Sequence, residues 1–353
     1  MDAPLIGTAL HAIGAMSAAS CYTPQKSVKN WSWQTYWISQ AFICWLIAPS
    51  VGAMLTIPEL GSVLREAPTS AMWITFALGL AYGIGGTAFG LAIRFIGFSL
   101  TYAFAIGISC ILGTLVGPVL RGQLVELFSC KGSEWVITGL VIGVLGIVLC
   151  GIAGRLKELD LAGKDKDKGE FSILKGVPLC ILAGILSAVY GIAVNDTAMP
   201  IIEVAAKHGA GHWQTNVGYI FANSGAFITT SIYCLILMIR HKTFREFVPS
   251  EAVPAKTTIR NYLLALATGL MWYGQFLFYG LGHVRMGNFK FVSWAIHMIM
   301  LILFSSLIGV IFKEWKSCKP RTAWLIAISM IILVGAVLTI STGSYMGTQA
   351  SAH

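Results

Sequence analysis

Apolar residues run along this chain in blocks of about 20, the length a helix needs to cross the hydrocarbon of a bilayer. Polar and charged residues collect in the short stretches between blocks. The alternation predicts ten spanning helices, at approximately 4–24, 34–57, 70–93, 98–120, 134–153, 176–198, 214–239, 260–283, 289–312 and 322–343. Prolines and glycines inside the blocks, such as Pro49, Gly83, Pro118 and Pro178, are compatible with helix there. Neighbouring helices satisfy the freed backbone groups, and small residues allow close packing. The fold class expected from this pattern is an all-α membrane protein.

Composition supports that reading. Of 353 residues, 56% are hydrophobic and 11% charged, against about 25% charged in soluble domains. The formal charge of +9 is accounted for by basic loops on one membrane side, with no nucleic acid partner implied. Lys26, Lys29, Arg94, Arg155, Lys157, Arg240, Lys242, Lys313 and Lys316 belong to that side, which the positive-inside rule makes cytoplasmic. Both termini are then expected on the outer, periplasmic face. The opening Met1-Asp2-Ala3-Pro4 lacks a basic flank, so the first block is read as a helix and not as a cleaved signal. The charged stretch 155–175 divides the chain into a first five-helix unit, 1–154, and a second, 176–353, and reads as a solvated cytoplasmic linker.

The halves carry a weak internal repeat. Shifting the third block by 190 residues lays Gly79-Leu80 on Gly269-Leu270, Tyr82 on Trp272 and Gly90-Leu91 on Gly280-Leu281. Five spans is an odd number, so tandem copies must lie upside down relative to each other. Two inverted five-helix repeats are a known transporter plan, with the solute held near the midplane between halves. Gly85 and Ile93 correspond to Gln275 and His283, so the second copy carries more polar groups.

That polar character peaks between Gly269 and His297. Trp272, Gln275, Tyr279 and His283 follow one another at steps of three, four and four, one helical face. An amide, a phenol and an imidazole at membrane depth must face protein or a wet cavity, since hydrocarbon leaves them unsatisfied. Ser293, Trp294 and His297 continue the set in the next block, and Asn216, Tyr219 and Asn223 share one face of the seventh, a polar end that fits either closing over a solute or capping the helix. Aromatic rings beside neutral hydrogen-bonding groups suit a small polyhydroxy solute. The competing reading is an interhelical hydrogen-bond seam with interfacial aromatics. The expected substrate-binding residues are Trp272, Gln275, Tyr279, His283, Trp294, Asn223 and Tyr82. Trp37, Gln40 and Trp45 in the second block fit either a cavity or an interfacial belt.

Asp196, His297 and His11 are the candidates for proton coupling. An acid within a span is a coupling-ion candidate, although Asp196 also fits a hydrated helix end. Histidine titrates near pH ~6.5 when unperturbed, and His11 and His297 each also fit a structural role.

The eight cysteines contain no C-x-x-C pair and read as small buried hydrophobes, with no metal or disulfide framework. No cofactor fingerprint is present: Gly83-Ile84-Gly85-Gly86 lies inside a span with no preceding strand. The absence of G-x-S-x-G, H-E-x-x-H, P-loop or paired intramembrane carboxylates argues against an enzyme.

Several of these stretches together resemble one family. They are Gly269-Leu-Met-Trp-Tyr-x-Gln-Phe-x-Phe-Tyr-x-x-Gly-His-x-Arg285, Ser293-Trp-x-x-His-Met298 and Lys313-Glu-Trp315. The opening His11-x-Ile-Gly-Ala-x-Ser-Ala-Ala19 and Val28-Lys-x-Trp-Ser-Trp33 agree. The chain is similar to the L-rhamnose–proton symporter family of the drug/metabolite transporter superfamily. The resemblance implies ten helices, an inverted repeat, and uptake of a 6-deoxy-hexose such as L-rhamnose, driven by protons across a Gram-negative inner membrane. One departure stands out. Phe289-Lys290-Phe291 occupies a place where enterobacterial members look to have aromatic-Asp-aromatic. A facilitator or exporter of another small polar metabolite, such as an amino acid or nucleotide sugar, is the alternative.

Overall fold

The computed structural model describes residues 3–123, 125, 129–161 and 172–351. The middle of the charged linker, with Lys164, Lys166 and Lys168, lies outside the described residues. All regular structure among the described residues is helical.

The chain opens with α1 (Pro4–Ser20). The second expected span is α2 (Trp33–Ala41) and α3 (Ala48–Thr56), joined by a π-helical turn over Phe42–Ile47. Pro49 explains the change of pitch. It has no N–H to donate, and its ring presses on the preceding turn. The Ala48 N–H reaches back five residues to the Ile43 carbonyl. A short helix absent from the sequence reading, α4 (Leu60–Glu66), follows. Next comes α5 (Thr69–Thr101), interrupted at Gly97 by φ 76° and ψ 171°. Glycine takes that conformation readily. The break falls in the expected gap between the third and fourth spans. A second π-helical turn, Tyr102–Ile106, leads into α6 (Gly107–Leu120).

Helix α7 (Ser133–Leu161) runs into the expected linker, so the linker's first residues are helical. The sixth span is α8 (Ile173–Ile192), a third π-helical turn over Ala193–Thr197, and α9 (Met199–Lys207). Asn195 and Asp196, expected to end this span, sit inside the turn. A proline again follows: Pro200 opens α9, and the Ala198 N–H donates five residues back to Ala193 O at 2.9 Å. The chain ends with α10 (Asn216–His241), α11 (Ala255–His283), α12 (Ser293–Ile311) and α13 (Pro320–Ser351).

Nine helical stretches among the described residues are long and apolar enough to cross a membrane. The remaining expected span, 260–283, lies in α11. Its 29 residues suffice in length, and Trp272, Tyr273, Gln275 and Tyr279 make it more polar than the nine.

The helices group into two compact units that each draw on both sequence halves. The first comprises Met1–Ala19, Gly85–Ile192 and Leu281–His353, and the second Ser20–Ile84 and Ala193–Gly280. In the first unit α7 and α13 pack along their length. A Cβ at Gly139 would lie 2.6 Å from Ile340 Cγ1 and 2.9 Å from the Ala336 carbonyl. Small residues bring the backbones close enough for dispersion to hold them without a hydrophobic driving force in lipid. At one end of this unit Lys157 donates to Glu314 at 2.9 Å and lies 4.8 Å above the Trp315 ring. Asp160 accepts from the Lys319 N–H at 2.9 Å and the Thr322 hydroxyl at 2.7 Å, capping α13.

In the second unit α5 and α10 approach so closely that a Cβ at Gly79 would lie 2.0 Å from the Ala222 carbonyl oxygen. Thr229 and Thr230 of α10 donate to the Leu80 and Gly83 carbonyls at 3.0 and 3.3 Å. Outside the spans, His208 joins α9 to α4, 3.0 Å from Glu66 Oε2 and 3.4 Å from Glu59 Oε2. The hydrogen bond to Glu66 leads in raising the imidazole pKa. A raised folded value stabilises below the unfolded pKa of about 6.5, and that contribution is lost as pH rises through the folded value. Hydrogen-exchange protection of 59–67 is therefore expected to fall as pH rises above about 6.5, and His208→Gln to remove that pH dependence.

Candidate functional site

The expected substrate residues divide between the units. Trp272, Gln275, Tyr279, Asn223 and Tyr82 lie in the second, and His283 and Trp294 in the first. Asp196 belongs to the second unit, and His11 and His297 to the first.

In the second unit Trp272 is the centre of an aromatic cluster. Its ring centroid lies 5.4 Å from Tyr22, 5.8 Å from Trp37 and 5.2 Å from Trp45, each edge to face. Its indole N–H is used by the Tyr82 phenol, and Tyr82 also meets Trp45 at 6.1 Å. Trp33, Trp37 and Tyr22 form a stack, with centroid separations of 4.8 and 5.9 Å. Edge-to-face and offset contacts suit the quadrupoles of the rings. Local geometry sets this up: α11 lies against α2 at Gly269, where a Cβ would be 3.0 Å from the Gln40 carbonyl. Trp272 follows one turn later. The result is a set of neutral rings whose faces suit the C–H surface of a sugar.

About two helical turns further along α11, Tyr279 is paired both ways with Asn195. The Asn195 Nδ2 donates to the phenol oxygen at 2.8 Å, and the phenol O–H faces Asn195 Oδ1 at 3.0 Å. Asn195 sits in the π-helical turn, which places its neighbour Asp196 half-buried within the helical run. Gln275 and Asn223 are buried in the same unit, at 7% and 0% exposure.

The first unit gathers the histidines. His11 and His297 are fully buried, their rings 6.0 Å apart and 71° from parallel. His297 also reaches the His11 backbone carbonyl. The close passage of α1 over the end of α11 makes room for this. A Cβ at Gly282 would lie 2.8 Å from the Gly7 carbonyl and 3.0 Å from His11 Nε2. His283 is buried nearby, against the Lys290 backbone. Two imidazoles set edge to face and shielded from bulk water form a pair in which protonating one ring bears on the other.

Trp294 is held differently from Trp272. Its indole N–H donates to the Ser109 carbonyl at 3.1 Å and to Ser109 Oγ at 3.2 Å. Ser109 in turn donates to Ser187 at 2.9 Å. The ring fills the notches at Gly113 and Gly191, where a Cβ would be 2.5 and 3.0 Å away. These contacts key α12 to α6 and α8. No group of three or more His, Cys, Asp or Glu side chains is placed to hold a metal among the described residues.

Sequence reasoning left Trp37, Gln40 and Trp45 undecided between cavity and belt. Their burial against Trp272 depends on helix pairing and on the π-helical turn between Trp37 and Trp45. Asn195 gave no signal beyond its position beside Asp196.

Comparison with known proteins gives a consistent picture. The model of the family described as L-rhamnose-proton symport protein matches residues 1–345. The chain is 32% identical over 341 residues to the L-rhamnose-proton symporter of Mannheimia succiniciproducens, covering 96% of this chain and 98% of that one. The symporters of Cronobacter sakazakii and Escherichia coli K12 are 32% and 31% identical over 344 residues, each covering 97% of this chain and 98% of the relative.

Proposed function

The chain belongs to the L-rhamnose-proton symport protein family, and from that premise we infer that it carries L-rhamnose into the cell together with protons. It is a multi-pass membrane protein of a transporter family. The observation that carries the reading is the separation of two chemistries. A neutral aromatic cluster around Trp272 suits a sugar, and a buried imidazole couple, His11 and His297, suits a proton.

In this reading Trp272 stacks on the apolar C–H face and methyl of the deoxy sugar, and Gln275 and Asn223 bond its hydroxyls. Tyr82 orients Trp272 through its N–H. Tyr279, tied to Asn195, couples sugar occupancy to the π-helical turn that holds Asp196. The proton rides on the His11–His297 couple, with Asp196 as the alternative carrier. The protein resides in the inner membrane with its basic loops cytoplasmic and both termini periplasmic. The two halves descend from one five-helix unit inserted in opposite orientations.

Phe289-Lys290-Phe291, where the resemblance implies aromatic-Asp-aromatic, favours one competing reading, a facilitator without proton coupling. Reconstitution in proteoliposomes separates the two. Symport gives L-rhamnose accumulation when the interior is made alkaline, abolished by a protonophore, and little uptake of L-fucose. A facilitator gives equilibration that ignores the imposed gradient.

A further inference from the structure

Among the buried polar groups of the second unit, Gln40 stands apart. It is 0% exposed, and neither its amide nitrogen nor its amide oxygen has a hydrogen-bond partner among the described residues. Because both atoms are unpartnered, the orientation assigned to the amide does not alter the count. The indole N–H groups of Trp37 and Trp45, at 1% and 0% exposure, are also unpartnered among the described residues. So is the hydroxyl of Tyr273, next to Trp272 on α11.

Three of these groups, Trp37, Gln40 and Trp45, lie on one helical run beside Trp272. Trp37 and Trp45 both touch Trp272. Gln40 lies between them on the same helical run, at the point where α2 meets α11 near Gly269. The intervening π-helical turn, Phe42–Ile47, brings Trp45 round to the Trp37 side. Trp272 spends its own N–H on Tyr82, so the ring contributes its face while Gln40 and the two flanking indoles hold the open hydrogen-bonding capacity.

A buried polar group left unpaired costs about 1–3 kcal/mol, and a packed seam would not concentrate several at one place. Together they offer the amide N–H donors, two indole donors and one amide acceptor. That inventory matches vicinal hydroxyls held flat against an aromatic ring. We infer that Gln40, with the indole N–H groups of Trp37 and Trp45, is the hydroxyl-reading and specificity-determining element of the sugar site beside Trp272. This rests on the sugar-transport reading above. It adds the source of discrimination: a site that leaves polar groups unpaired when a hydroxyl is missing rejects the deoxy analogue strongly.

The test is calorimetric binding to the full-length protein in lipid nanodiscs. L-rhamnose is compared with analogues that each lack one hydroxyl, for wild type, Gln40→Leu and Gln40→Met. The expected result is that one analogue binds wild type about 10–100-fold more weakly than L-rhamnose. Both variants should bind L-rhamnose as weakly as that analogue while binding the analogue itself unchanged. The sugar-free melting temperature should stay level or rise, because an unpaired amide has been removed. L-rhamnose affinity unchanged in both variants overturns the inference. So does equal weakening of every sugar together with a fall in melting temperature, which marks Gln40 as a packing residue. Failure of wild type to bind L-rhamnose at all overturns the transport reading itself, and is distinguishable because it needs no variant.

Discussion

His297→Gln is expected to abolish sugar accumulation while leaving sugar exchange intact. Each unit of imposed pH gradient supplies about 1.4 kcal/mol per proton, so a one-proton symporter concentrates its sugar about tenfold per pH unit. Glutamine keeps a donor for the His11 backbone carbonyl, which His297 reaches in the folded protein, but it cannot take up a proton. Accumulation should fall to an inside-to-outside ratio near unity. Counterflow of labelled against unlabelled L-rhamnose needs no net proton movement and should persist. His11→Gln should behave the same way, because the two rings are in contact at 6.0 Å. Accumulation retained in both histidine variants and lost in Asp196→Asn would move the proton to the π-helical turn of the second unit.

Trp272→Ala carries the second large effect. Its ring touches Tyr22, Trp37 and Trp45 and is 5% exposed. A central buried tryptophan in a binding site is worth about 2 kcal/mol or more, roughly a 30-fold loss of affinity. Truncation also leaves a hole among the flanking rings, so Trp272→Phe is the informative partner. It retains a face for stacking and loses the N–H that meets Tyr82. Phenylalanine should restore most of the affinity, with Tyr82→Phe giving a loss of similar small size. If Trp272→Ala binds L-rhamnose as wild type does in calorimetry, the aromatic cluster is packing alone.

The sequence made the spans legible because lipid imposes one strong constraint, that every backbone polar group be satisfied within a helix. It also made the Trp272–His283 face legible, since helical period fixes direction around the axis. Period does not fix which neighbours a face meets. Trp272 and His283 share a face of α11, yet the helix passes from one compact unit to the other between Gly280 and Leu281. One face therefore serves two different clusters. The His11–His297 contact joins residues 286 apart (297 less 11), and nothing local to either residue announces it. Asp196 fitted either an acid within the span or a hydrated helix end, and Pro200 four residues on gave no sign of the turn between. The chain instead absorbs that proline in a π-helical turn and continues. The same device at Pro49 shifts Trp45 to the Trp37 side, which a uniform 3.6-residue period would not show.

The central claim is that sugar and proton move together, and the most direct measurement is pH in the outer medium of weakly buffered, de-energised proteoliposomes. Adding L-rhamnose to an outward gradient-free suspension should alkalinise the medium at once, in proportion to the sugar taken up, with no such change for His297→Gln. L-rhamnose entering with no accompanying pH change in the wild type would contradict the account.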